Sequence, residues 1–179
     1  MKALILTVLA GLVLQLATPA RADWTPASGD ELQQNCAKAL DEFRARPELE
    51  RFFAEAHALV IFPSVKRIGL AFGTAWGKGL VFEQGRLIGR AGQRELSLGA
   101  QFGAQSHSQI IFFRNAEALQ TFQLGRREFL GRASATGIVW GSSFEPANLP
   151  DVAIFSNTGG GLMLEASAAG VRYDYEPVE

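Results

Sequence analysis

The chain has 179 residues, with 17 basic and 18 acidic side chains and a formal net charge of −1. This length suits one domain, and the near-neutral charge argues against bulk attraction to nucleic acid. Apolar residues make up 47% of the sequence, enough for one hydrophobic core. The single cysteine, Cys36, excludes a disulfide within the chain. We predict that Cys36 is buried as a small apolar residue, with an intermolecular disulfide as the alternative.

The first 22 residues have the pattern of a secretory signal peptide. Lys2 supplies a positive start, residues 3–17 form an apolar run, and Ala20-Arg21-Ala22 matches a signal-peptidase site. The apolar run is shorter than the roughly 20 residues that span a bilayer. We therefore predict a mature domain of residues 23–179 that is periplasmic or secreted. Loss of the two basic residues leaves 15 basic against 18 acidic side chains, a net charge of −3.

Two amphipathic helices are predicted to open the domain. Apolar residues recur at helical spacing in the first helix, namely Leu32, Cys36, Leu40 and Phe43. Either Ser28 or Asp30 can cap its start. Pro47 suits the first turn of a second helix, because the missing N–H costs nothing there. The apolar face of that helix would comprise Leu49, Phe52, Phe53 and Ala56.

After Ala58 the pattern changes to short β-favouring segments. Residues 58–62 form an apolar strand that Pro63 is predicted to end, and residues 69–103 hold nine glycines, which disfavours helix. A hairpin is predicted over residues 80–88, with Gly85 at positive φ in its turn. Further strands are predicted at 109–113, 134–140, 152–155, 162–165 and 171–175, and Asn115 is predicted to cap a central helix. This order predicts an α+β fold, with two N-terminal helices and one central helix packed on a mainly antiparallel, partly barrel-like sheet.

A cluster of glycines stands out in the first half of the domain: Gly69, Gly73, Gly77 and Gly79. The spacing of four would place the first three on one face of a strand. A face without side chains allows another backbone to approach closely, which is the favoured interpretation. A glycine-rich surface over a ligand is the alternative.

Motifs for chemistry are weak in this sequence. Residues 73–79 lack the spacing of a phosphate-binding loop, and no helical pattern follows the glycines at 159–161. The histidines and the cysteine lack the spacing of metal ligands. His107 lies between Ser106 and Ser108, but no nucleophile elbow accompanies it. We predict no cofactor, no metal and no enzymatic activity, with a serine hydrolase that uses His107 as a remote alternative.

Basic residues concentrate in the glycine-rich region and alternate there with aromatic residues. The candidate lipid-binding residues are Lys66, Arg67, Trp76, Lys78, Arg86, Arg90 and Arg94. Glu83 is the only acidic residue among them before Glu95. A basic, aromatic surface can meet anionic lipid headgroups, at about 1 kcal/mol per cation. The alternative is that these are ordinary solvent-facing residues on alternate strand positions.

An ordered set of motifs runs through the chain: residues 59–64, Gly69, Gly73, Gly77-Lys78-Gly79, residues 97–105, residues 110–113, and Ala118-Leu119 with Phe122. Together they resemble the SYLF domain over roughly residues 30–175. The resemblance implies lipid binding. The eukaryotic members prefer phosphoinositides, and some of them also bind actin. The domain also occurs in exported bacterial proteins. Near the C-terminus this chain departs from the pattern, since Gly159-Gly160 and Ala169 replace the usual basic and acidic residues.

The preferred hypothesis is therefore a non-enzymatic domain of the bacterial periplasm or cell envelope that binds lipids or an anionic membrane surface. The alternative of a different class is a structural envelope protein that binds a protein partner. Neither hypothesis involves nucleic acid.

Overall fold

The computed structural model describes residues 24–69, 72–98, 103–125, 149–158, 161–164 and 171–178. The predicted signal peptide, the strand predicted at 134–140 and the C-terminal departures from the SYLF pattern lie outside these ranges. The described helices are α1 (Glu31–Arg44), a 3-10 turn (Pro47–Leu49), α2 (Glu50–Glu55) and α3 (Ala116–Gln123). The described strands are β1 (Ala58–Gly69), β2 (Phe72–Glu83), β3 (Arg86–Leu98), β4 (Gly103–Phe113), β5 (Val152–Thr158), β6 (Gly161–Leu164) and β7 (Val171–Pro177).

The described strands form one sheet in the order β6-β5-β4-β1-β2-β3-β7, and every neighbouring pair is antiparallel. The predicted α+β class and antiparallel sheet are confirmed. The partly barrel-like closure is not: β6 and β7 are the two edges of an open sheet in the described part of the chain. A barrel would require those edges to pair.

The sheet carries a hydrophobic cluster on each face. On one side, which we call the α1 face, Cys36 and Phe43 pack with Ile61, Leu80 and other buried strand residues. On the other side, the α3 face, Leu119 and Phe122 pack with a second set that includes Val60, Phe113 and Tyr173. Residues two apart in a strand share a face. On each side of a β-bulge, strand positions can therefore be assigned to the α1 face or the α3 face.

Local sequence signals account for the ends of several elements. The Asp30 carboxylate accepts a hydrogen bond from the backbone N–H of Gln33 at 3.0 Å, so Asp30 is the residue that caps α1. Asn115 caps α3 in the same way. The β2–β3 turn has positive φ at both Gln84 (48°) and Gly85 (80°), as a two-residue hairpin turn of type I′ requires.

Pro63 does not end β1, contrary to the prediction. The strand continues to Gly69 through a β-bulge, where the register with β2 shifts between Ile61 and Ser64. The register with β4 shifts at the same place. Proline lacks the backbone N–H that the hydrogen-bond ladder of a sheet requires. The extra residue of a bulge is left unpaired, so a proline there loses no ladder hydrogen bond. The bulge therefore allows one long strand where the sequence indicated a short one.

Cys36 is fully buried in the α1-face cluster, as predicted. Its Sγ lies 3.7 Å from the carbonyl oxygen of Ile61, and burial raises the pKa of the thiol to about 12. Because the thiolate is the reactive form, we expect maleimide to leave Cys36 unlabelled in the folded protein at neutral pH and to label it fully in urea. Rapid labelling of the folded protein, or a disulfide-linked dimer on a non-reducing gel, would contradict this burial.

Candidate functional site

The sheet register places three of the predicted basic and aromatic residues in one row. Lys66 of β1 lies opposite Trp76 of β2, and Trp76 lies opposite Arg94 of β3. Arg94 in turn lies opposite Arg172 of β7. Side chains at directly opposed positions project from the same face, with Cβ atoms about 5 Å apart. The row therefore presents three cations and an indole side by side across four strands.

The row lies on the α1 face, beyond the part of the sheet that α1 covers. Trp76, Lys78 and Leu80 occupy every second position of β2, so their side chains share a face. Leu80 is buried in the cluster formed with α1. Lys78 is exposed, as are all members of the row. We call Lys66, Lys78, Arg94 and Arg172, with Trp76 among them, the cationic patch.

The charges of the cationic patch are poorly compensated. Among the described residues, no ion pair joins Lys66, Lys78 or Arg172 to an acid. Arg94 approaches Asp174 at 3.8 Å, but its side chain is 81% exposed, so solvent screens this contact. The patch is therefore a concentration of positive charge on a protein whose net charge is negative.

A shallow depression of about 500 Å³ opens within the patch. Its lining includes Thr74, Trp76, Arg94, Arg172 and Asp174. The depression combines an aromatic wall with two guanidinium groups, whose N–H groups suit the oxygens of phosphate or carboxylate. The depression thus offers guanidinium donors for an anion beside an aromatic ring, with the Asp174 carboxylate in the same lining.

The structure places the other three predicted basic residues elsewhere. Arg67 lies on the α3 face, where its guanidinium donates to Glu95 at 2.8 Å. Arg86 lies beside the β2–β3 turn. It is eight positions from Arg94, or roughly 25 Å along the strand. These two residues do not join the cationic patch.

Arg90 shares the α1 face with the patch but is engaged with helix α1. Its guanidinium donates to the Asp30 carboxylate at 2.9 Å, and Asp30 is the capping residue of α1. The backbone N–H and side chain of Gln33, followed by the Arg90 guanidinium, hold the pKa of Asp30 below its ordinary value of 3.8. Arg90 thus links the start of α1 to β3 through an ion pair at the border of the patch.

The predicted glycines lie on the opposite face from the cationic patch. Gly69 pairs with Gly73 across the β1–β2 hairpin, so the series occupies two strands rather than one. Gly73, Gly77 and Gly79 are buried. A Cβ at Gly79 would lie 2.7 Å from Cδ1 of Phe62, and a Cβ at Gly77 would lie 3.1 Å from the Ser64 carbonyl oxygen. These contacts fit the close-packing interpretation, in which the bulged part of β1 presses against β2.

The histidine and serines of the remote hydrolase alternative are not brought together. Ser106 lies opposite Lys66 on the α1 face, whereas His107 lies opposite Val65 on the α3 face. Ser108 shares the face of Ser106, because residues of a strand alternate. Within the described ranges, no three His, Cys, Asp or Glu side chains are grouped as a metal site would need.

Sequence reasoning missed Arg172, which completes the row. The run Arg172-Tyr173-Asp174-Tyr175 alternates in burial as an edge strand with one buried face does. The alternation of charged and aromatic residues in the sequence indicates a strand. Nothing in these neighbouring residues indicates that the strand pairs with β3.

In the described part of the chain, no helix is long and apolar enough to cross a membrane. Comparison with protein-family models gives no match to this chain, and comparison with curated proteins gives none either.

Proposed function

We propose that this protein binds anionic membrane surfaces without enzymatic activity, in the bacterial periplasm or cell envelope. The observation that carries the proposal is the cationic patch, in which four exposed cations, of which only Arg94 has an ion pair among the described residues, surround an exposed tryptophan. In the described part of the chain, no acidic residue forms an ion pair with Lys66, Lys78 or Arg172. Trp76 is 43% exposed. Indole rings concentrate at membrane interfaces, and Lys and Arg attract anionic headgroups.

The magnitude of the attraction suits reversible binding. Four cations at about 1 kcal/mol each would supply roughly 4 kcal/mol at a strongly anionic surface. This is the scale of a millimolar dissociation constant, so the aromatic contact or a second copy on one vesicle would be needed for tighter binding. The negative net charge opposes binding in any other orientation, which favours the patch as the contact surface.

The resemblance to the SYLF domain points to the same class of ligand. Export by the predicted signal peptide would place the patch in the periplasm or envelope, where phosphatidylglycerol or another anionic lipid is the ligand that the charges suit. Because an exported bacterial protein would not normally meet actin or phosphoinositides, neither is proposed as its ligand.

Flotation with lipid vesicles tests this proposal. We expect the protein to float with vesicles of phosphatidylcholine and phosphatidylglycerol in about 0.1 M salt, and to stay in solution with phosphatidylcholine alone. Raising salt to about 1 M shortens the Debye length to about 3 Å and should release most of the protein. Absence of flotation with anionic vesicles at low salt would overturn the proposal and favour a protein partner in the envelope.

A further inference from the structure

We infer that Ile68 and Trp76 enter the interfacial layer of the membrane, so that the end of the sheet where β1 ends and β2 begins faces the bilayer. This inference rests on the proposed function and adds an orientation and an apolar contact to it. A purely electrostatic surface would need neither.

The two side chains are neighbours and both are unusually exposed. Ile68 is 51% exposed and Trp76 is 43% exposed. Ile68 lies opposite Thr74, two residue pairs along from the Lys66–Trp76 pair, so Ile68 and Trp76 are diagonal neighbours on the α1 face. Exposed apolar side chains that lie together, rather than singly, mark interaction surfaces.

The order of residues along the strands fits a membrane at that end. Of these residues, Ile68 is nearest the end of the hairpin, Lys66 and Trp76 come next, and Lys78 lies two residues further along β2. Ile68 would enter the bilayer first. The Trp76 indole and the cations would lie at the level of the headgroups, and the aliphatic stems of the lysines would extend toward that level. This is the arrangement of apolar, aromatic and basic residues that interfacial contacts use.

Helix α1 restricts how a flat surface can reach the patch. The helix packs over Ile61 and Leu80 on the same face of the sheet, and Arg90 fastens its start to β3. A helix with its side chains is about 10 Å thick. A bilayer therefore cannot lie flat on the α1 face, but it can meet the end of the sheet where Ile68 and Trp76 lie exposed.

Depth-dependent quenching of tryptophan tests the inference. Trp24→Phe with Trp140→Phe leaves Trp76 as the only tryptophan of the three in the chain. With anionic vesicles that carry brominated acyl chains, we expect the emission of Trp76 to shift to the blue and to fall at least twofold relative to unbrominated vesicles. If the double variant does not fold, the difference in quenching between wild type and Trp76→Phe reports the same contact.

The outcomes separate the inference from the proposed function. Flotation with unchanged Trp76 emission would overturn the inference and leave the proposed function standing. Failure to float with anionic vesicles at low salt would overturn both.

A substitution supplies an independent readout with a matched control. Ile68→Ser should weaken vesicle binding about tenfold, since it removes one of the two inserted apolar groups. Leu124→Ser removes a similar exposed apolar side chain, 57% exposed at the end of α3, and should leave binding unchanged. Equal effects of the two substitutions would overturn the inference.

Discussion

Reversing the charge at Lys66 and Arg94 is expected to abolish binding to anionic vesicles at low salt. The two residues flank Trp76 in the row and are exposed, so Lys66→Glu with Arg94→Glu should leave the fold intact. Each cation contributes about 1 kcal/mol near an anionic surface, and reversal replaces attraction by repulsion of similar size. The combined change of about 4 kcal/mol corresponds to a loss of affinity of at least a hundredfold. Titration with phosphatidylglycerol vesicles measures it.

The matched control makes the same change in net charge away from the patch. Lys38 is exposed on α1, and Arg86 lies beside the β2–β3 turn. We expect Lys38→Glu with Arg86→Glu to weaken binding by less than about fivefold, through the long-range field alone. If both pairs of substitutions weakened binding equally, the net charge rather than the cationic patch would govern binding.

Gly79→Ala is expected to destabilise the domain by about 3 kcal/mol or to prevent folding. A methyl group at this position would lie 2.7 Å from the Phe62 ring, and it would also collide with the Ile61 carbonyl oxygen. The Ile61 oxygen belongs to the bulged backbone of β1, which cannot move away as a flexible side chain can. Overpacking of this kind costs about 1–3 kcal/mol or more. Urea denaturation of the variant measures the free energy of unfolding.

Gly92→Ala provides the comparison, because it adds the same methyl group to a neighbouring strand. The nearest atom, the Asp174 Oδ2, would lie 3.6 Å away, which is an ordinary contact. We expect no loss of stability, and a gain of up to about 1 kcal/mol from the reduced freedom of the unfolded chain. If Gly79→Ala were as stable as wild type and instead lost lipid binding, the glycines would act at a ligand and not in packing.

Features that depend on adjacent residues could be predicted from the sequence. Asp30 and Asn115 cap helices because their side chains reach an N–H three residues on, and Gly85 permits the hairpin turn. The burial of Cys36 and Phe43 follows from helical spacing against an apolar sheet. Each of these signals is contained within a few residues of the chain.

The composition of the cationic patch could not be predicted in the same way. Lys66 and Arg67 are adjacent and both positively charged, yet they lie on opposite faces of β1. Which of the two joins the patch depends on the bulge at Pro63, because one extra residue exchanges the faces of everything that follows. Arg172 joins the patch only through the pairing of β3 with β7, which brings together residues about eighty positions apart.

Chemical footprinting of the lysines on the unmodified protein tests most directly whether the cationic patch is the surface that meets the membrane. Acetylation followed by mass spectrometry reports Lys38, Lys66 and Lys78, all of which are exposed. With anionic vesicles at low salt, we expect acetylation of Lys66 and Lys78 to fall severalfold while Lys38 on α1 remains as reactive as in solution. Protection of Lys38 with full reactivity at Lys66 and Lys78 would show that the protein meets the membrane through another surface.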